Sequence, residues 1–292
     1  MKCVVVQTSG LGDDPLKALN DKTPLEAART PNLDRMAARG ILGLTRTVPQ
    51  GCPAAAGDAG PLAVLGYDPA AYRGAGGAVC EAASLDVPLG SGDVALRCNL
   101  VTREALEDGT EVMVDAAGGR LPDREARALV EAVAGELGGG DLELHAGTGY
   151  RHLLVWHGGD PEVRTTPPHL LHDRPVREGF PSGPGAERLR AIMQRSEEIF
   201  AQHPLCVARQ ARGERVPTLL WPWGPSRATR LPSMRTRYGV RGALVSAVGS
   251  VRGLGRLAGL EVMDVEGATG MLDSDYAAKV AAVLGALDDH DF

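Results

Sequence analysis

Arg97 and Arg151 are the residues whose chemistry most directly suggests binding. Two guanidiniums can clamp a carboxylate or a phosphate bidentately, although arginines held in surface ion pairs would read the same way. His169 and His172 have the spacing of a metal pair, but they sit in a Pro-flanked stretch with no third ligand, which argues against zinc. His169 alone fits a ligand, a base or a merely structural histidine, and the structural reading is favoured. Cys52 is a candidate nucleophile in a Gly/Ala/Pro-rich loop, yet nothing around it would lower a thiol pKa, and a free cysteine is commonly a small apolar filler. Ser9 follows a short apolar run and precedes Gly10, as a nucleophile can, but without a neighbouring base it reads as a loop hydroxyl. Asp13, Asp14 and Asp58 read as turn and cap residues. Gly10-Leu11-Gly12 lacks the rest of a dinucleotide fingerprint.

These residues need elements to position them. Lys2–Gln7 is a short apolar run ended by Gly10, Gly12 and Pro15, which predicts a buried strand leading into a loop. Thr30 or Asn32 can cap a helix that ends at Gly40, with Leu33, Met36 and Ala37 as its apolar stripe. Val94–Leu100 and Glu111–Val114 predict a hairpin turning at Glu107-Asp108-Gly109. A helix follows from Pro122 and Asp123 to the glycines at 138–140, then strands over Leu142–His145 and His152–Trp156. Ala186–His203 is a second strong helix. Strands over Thr218–Trp221, Ala243–Ser246 and Leu260–Val262 then alternate with helices over Val248–Leu257 and Ser274–Leu287. Short apolar runs alternating with helices at both ends predict a parallel, doubly wound sheet. The middle segment reads as an α+β insertion, giving a discontinuous core of 1–87 and 179–292 and an inserted domain of 88–178.

Composition narrows the function classes. A 292-residue chain with 43% hydrophobic and 23% charged residues is an ordinary globular protein of about two domains. A net charge of −6 argues against nucleic acid as a partner. No apolar run reaches membrane-spanning length, and the apolar run at the N-terminus is too short for a signal peptide. Five cysteines without CxxC spacing fit reduced thiols, and a cytoplasmic location is expected.

Several strings carry a specific resemblance. Lys22-Thr23-Pro24-Leu25-Glu26-Ala27-Ala28-Arg29-Thr30-Pro31-Asn32-Leu33-Asp34 is followed by Leu65-Gly66-Tyr67-Asp68-Pro69 and by Leu96-Arg97-Cys98-Asn99-Leu100-Val101. Tyr150-Arg151-His152-Leu153, Thr166-Pro167-Pro168-His169, Trp221–Gly224, Tyr238–Ala243 and Gly267-Ala268-Thr269-Gly270 complete the series. In this order the chain resembles the archaeal-type, 2,3-bisphosphoglycerate-independent phosphoglycerate mutases of the alkaline-phosphatase superfamily. The resemblance implies an α/β fold, an alkaline-phosphatase-like, doubly wound, mostly parallel sheet interrupted by a smaller α+β domain. It implies transfer of a phosphoryl group between the 3- and 2-hydroxyls of glycerate through a phosphoserine with two divalent metals (Mn, Mg or Zn), which clamp the attacking and leaving oxygens. It also implies substrate binding by Arg97, Asn99, Arg151, His152 and Arg227.

Against that resemblance, the reacting positions depart. The metal-binding Asp position falls on Ser9 and the nucleophile on Gly57. A turn arginine falls on Gly77, the Asp expected beside His169 is Leu170, and the Asp expected after Val248 is Gly249. Asp115 is kept, but the polar pair expected after it reads Ala117 and Arg120. The family continues past Asp289-His290-Asp291-Phe292 into a further strand and metal motifs, so those ligands are expected to be missing. The expected function is therefore that of a catalytically degenerate homologue binding a small phosphorylated acid, with no metal of its own and His169 as the residual ligand candidate. The alternatives are an active mutase or phosphohydrolase with a rebuilt centre, and a non-enzymatic scaffold. A homo-oligomer or a complementing subunit is the expected protein partner.

Overall fold

The computed structural model describes residues 2–8, 11–46, 48, 59–72, 77–137, 140–270 and 272–292. Its centre is strand β1, Val94–Ala105, whose residues 94–96 and 98–102 are buried. Hydrophobic side chains on both faces explain that position: β1 is covered on either side. It pairs antiparallel with β2 (Glu111–Asp115), β4 (Arg151–Trp156) and β5 (Leu219–Arg227), and β3 (Leu142–His145) adds to β4. The hairpin expected between β1 and β2 forms, with Gly109 at φ 80° where a side chain would be strained.

One face of this sheet carries Leu96, Cys98, Leu100 and Leu154 into a core with helices α5 (Asp123–Leu137) and α6 (Ala186–Gln202). Acidic residues in the first turn of α5, Asp123 and Glu125, complement its dipole. Gly185 precedes α6 in the left-handed region, and a Cβ there would sit 2.1 Å from the Trp156 ring, so the helix enters flush against the sheet. Buried Ser196 fixes α6 to β5. Its hydroxyl donates to the Met193 carbonyl at 2.6 Å and accepts the Leu220 N–H at 2.8 Å. The strand and helix that complete this unit, β5 and α6, lie outside the 88–178 segment assigned to an inserted domain.

The opposite face of the sheet meets helix α4, Ala78–Ser84, through Ala78, Ala82, Ala95, Leu153 and Val155. Helix α9, Gly249–Leu257, crosses α4 so closely that a Cβ on Gly253 would fall 1.7 Å from the Cys80 carbonyl oxygen. Strands β6 (Ala243–Val245) and β7 (Glu261–Met263) flank α9 in sequence and pair in parallel, the arrangement expected of the chain's ends. The fold is thus mixed α/β, with an antiparallel five-stranded sheet and a parallel pair among the described residues.

The strand expected over Lys2–Gln7 is not formed. Residues 2–8 are exposed and lie in no ladder, their described main-chain bond being from Cys3 N–H to the Asp291 carbonyl at 2.9 Å. An apolar run becomes a strand only where a neighbour accepts its hydrogen bonds. The remaining helices are α1 (Pro24–Ala27), α2 (Pro31–Arg39), α3 (Ala59–Val64), α7 (Pro204–Ala211), α8 (Met234–Tyr238) and α10 (Tyr276–Ala286). No described helix is long and apolar enough to cross a membrane.

Candidate anion-binding face

Strand alternation decides which candidates meet. Arg97 pairs with Leu153 and Trp223, and Asn99 pairs with Arg151 and Trp221. Directly paired residues share a face, so Arg97, Asn99, Arg151 and Trp223 all project from the α4 side of the sheet. Along β1, Ala95 is covered by α4 and Val101 by Leu171 and Val176, which leaves Arg97 and Asn99 in the polar stretch between the two covers. Arg151 is the diagonal neighbour of Arg97, a separation of roughly 7–8 Å between such positions.

The support beneath these side chains is specific. Asn99 is buried. Its Oδ1 accepts the Trp223 indole N–H at 2.9 Å, and its Nδ2 donates to the Ala116 carbonyl at 3.1 Å. Asp115 holds that loop by accepting N–H bonds from Ala117 at 2.8 Å and Gly119 at 2.9 Å. The Trp223 ring so fixed lies 5.1 Å from the Arg97 guanidinium carbon and meets the His169 ring edge-on, centroids 5.8 Å apart. Such ring contacts restrain a guanidinium without cancelling its charge.

Arg97 also approaches Glu81 of α4 at 3.5 Å, both side chains being mostly buried. A Cβ at Gly249, the first residue of α9, would come within 3.1 Å of the Glu81 carboxylate. An acidic residue at 249 would therefore face a carboxylate, and its absence leaves Glu81 room to serve Arg97. Arg151 is exposed, with its guanidinium carbon 4.4 Å from the Tyr150 ring centroid, and no carboxylate among the described residues pairs with it.

Other candidates lie elsewhere. His152 pairs with Cys98 and is turned to the α5–α6 side, buried. Its Nδ1 accepts the Gly147 N–H at 3.1 Å and its Nε2 has no partner among the described residues. Burial, reinforced by the charge of Arg127, lowers its pKa to about 3. Arg227 pairs with Val94 at the end of β5, exposed and on the face opposite Arg97. His169 is exposed beside Trp223, and His172 lies against Asp173 at 3.4 Å. Burial also raises the Cys98 and Cys206 thiols, the latter to about 11, so neither is a ready nucleophile. Ser9, Cys52, Gly57 and Asp58 fall outside the described residues. Among the described residues no group of three His, Cys, Asp or Glu side chains is arranged to hold a metal ion.

Sequence reasoning missed Trp223 and Glu81 as parts of this face. Trp223 stands in the string 221–224 that carries part of the resemblance, but its bond to Asn99 is a tertiary fact. Glu81 closes the stretch 74–81 that resembles the family's Gly-Arg turn, but nothing in the sequence names it as the partner of Arg97.

The family model described as 2,3-bisphosphoglycerate-independent phosphoglycerate mutase matches residues 37–206. A Geobacter sulfurreducens protein named "Probable 2,3-bisphosphoglycerate-independent phosphoglycerate mutase" is 44% identical, aligning with 100% of this chain and 72% of its own length. A Methanothermobacter thermautotrophicus protein, named 2,3-bisphosphoglycerate-independent phosphoglycerate mutase 2, is 40% identical over 100% of this chain and 71% of its own. Among solved structures, a Pyrococcus horikoshii protein superposes with a TM-score of 0.68 at 28% identity, covering 97% of this chain and 66% of that one. The cofactor-independent phosphoglycerate mutase of Thermoplasma acidophilum gives 0.54 at 27% identity, covering 97% and 73%.

Proposed function

The chain belongs to the 2,3-bisphosphoglycerate-independent phosphoglycerate mutase family, and on that premise we propose that its Arg97–Arg151 face binds a small phosphorylated acid without itself moving the phosphoryl group. The observation that carries the binding half is Arg151, an exposed guanidinium with no carboxylate partner among the described residues, on the same face as Arg97. Arg151, with the Glu81-paired Arg97 at the diagonal position beside it, suits an anionic end of such a ligand, and a charge-assisted bond contributes roughly 1.5–3 kcal/mol. Asn99 supports the site through Trp223, whereas His152 and Arg227 point away from it.

The inactive half rests on chemistry at two positions. Gly57 at the nucleophile position has no group to phosphorylate, and loss of a covalent nucleophile costs on the order of a million-fold in rate. Ser9 at the metal position offers a neutral hydroxyl, a poor ligand for a hard divalent ion. Restoring Gly57→Ser alone leaves that hydroxyl with its ordinary high pKa, so no activity is expected.

Calorimetric titration with 3-phosphoglycerate tests the reading. Weak, salt-sensitive binding is expected, and Arg151→Ala should weaken it roughly tenfold or more. Absence of heat at millimolar ligand, or an unchanged isotherm in the variant, would refute it.

A further inference from the structure

The two arginines of the binding face are restrained in different ways. Arg97 has the Glu81 carboxylate at 3.5 Å and the Trp223 ring centroid at 5.1 Å. Arg151 is exposed, has no carboxylate partner among the described residues, and lies with its guanidinium carbon 4.4 Å from the Tyr150 ring centroid. A carboxylate holds an arginine but occupies the charge that an anionic ligand would use. The face of an aromatic ring holds it and leaves that charge available. An arginine with no such restraint loses much of its rotamer freedom when a ligand fixes it.

Tyr150 is itself held in place. It ends the turn 147–150, directly before β4, and its ring is partly buried against the α5–α6 core. Its carbonyl accepts the Leu100 N–H of β1 at 3.0 Å, next to Asn99 in the chain. Three further bonds pin the turn. The Gly147 N–H donates to His152 Nδ1 at 3.1 Å, the Gly149 N–H to the Asp123 carboxylate at 2.7 Å, and the Arg151 N–H to the Thr148 carbonyl at 3.1 Å. The turn is so tight that a Cβ on Gly147 would fall 2.2 Å from the Arg151 carbonyl oxygen. A ring carried by this turn and packed on the core is a fixed platform, and a guanidinium stacked on it takes a preset position.

We infer that Tyr150 is a positioning residue, whose ring presets the Arg151 guanidinium for an anionic group of the ligand while leaving its charge unpaired. The inference rests on the binding reading above and adds to it the group that readies Arg151. Ordering one long side chain in advance should tighten binding roughly three- to tenfold. Because the ring face does the holding, phenylalanine should serve in place of tyrosine, and leucine, which can still pack on the core, should not.

Two measurements on the 292-residue chain test this. The first needs no ligand: nitrogen–proton NMR of the arginine side chains, with the Arg151 Nε–H assigned by its loss in Arg151→Lys. In the parent and in Tyr150→Phe the ring should shift this resonance upfield, and in Tyr150→Leu the shift should vanish. The second is calorimetric titration with 3-phosphoglycerate. Tyr150→Phe should bind like the parent and Tyr150→Leu roughly three- to tenfold more weakly, with melting curves showing that both are folded. An unshifted Arg151 resonance in the parent overturns the role without recourse to any Tyr150 variant. A parent that binds while Tyr150→Leu binds equally well overturns the positioning role alone, as does a phenylalanine variant as weak as the leucine one. Weaker binding in Tyr150→Leu with an unmoved Arg151 resonance assigns the loss to the fold and also overturns it. A parent that binds nothing overturns the binding reading and the positioning role with it.

Discussion

Lowering the pH from 7 to 5 should destabilise this protein through one residue, His152. The ring is buried, its Nδ1 already accepts the Gly147 N–H at 3.1 Å, and its Nε2–H has no partner among the described residues. Protonation would set a donor against a donor and place a cation in the α5–α6 core, so burial holds the pKa at about 3 against 6.5 for the free side chain. With the folded value depressed, stability is whole above the unfolded pKa and drains as the pH falls toward 3. At pH 5 the unfolded imidazole is almost fully protonated while the folded one is not, a loss of about 2 kcal/mol relative to pH 7. That corresponds to a fall in urea midpoint of about 0.7–1 M. His152→Asn keeps an acceptor near Nδ1 and removes the titration. Equilibrium unfolding of both proteins at pH 7 and pH 5 should show the extra loss in the parent alone. Parallel profiles would refute the assignment.

Two further effects should be measurable. His157 has the opposite sign: hydrogen bonds to Asp93 and then Glu143 raise its pKa, so its contribution is present below the unfolded value and lost as pH rises through the folded one. His157→Gln should therefore be less stable than the parent at pH 6 and equal to it at pH 9, with a gap that narrows in salt because the ring is partly exposed. Ser196→Ala strands the buried Leu220 N–H and should cost about 1–3 kcal/mol in urea unfolding.

The strands and long helices were legible because their patterns are local. The short apolar runs over 94–100 and 152–156 and the helical spacing of 186–203 survive into β1, β4 and α6 almost unchanged. β5 reads as shorter than it is, since Pro222 and Pro225 lack the N–H a ladder uses, yet pairing with β1 runs to Arg227. Lys2–Gln7 failed for the reverse reason: its composition is right and its partner is not beside it. At the site, neighbouring residues of one string went to opposite faces. Arg151 and His152 cannot share a surface on a strand, a consequence of the two-residue period that a resemblance carried as a block conceals. Glu81 and Gly249 could not be foreseen, since the approach of α4 to β1 and α9 is set by packing such as that of Gly253 on Cys80.

Phosphorus NMR of 3-phosphoglycerate mixed with the purified chain tests both halves of the proposed function at once. At millimolar ligand the resonance should broaden, and the broadening should disappear with Arg151→Ala or added salt. No 2-phosphoglycerate signal should grow in over hours. A sharp, unperturbed resonance, or broadening that survives Arg151→Ala, would contradict the binding face, and a growing 2-phosphoglycerate signal would contradict the loss of turnover.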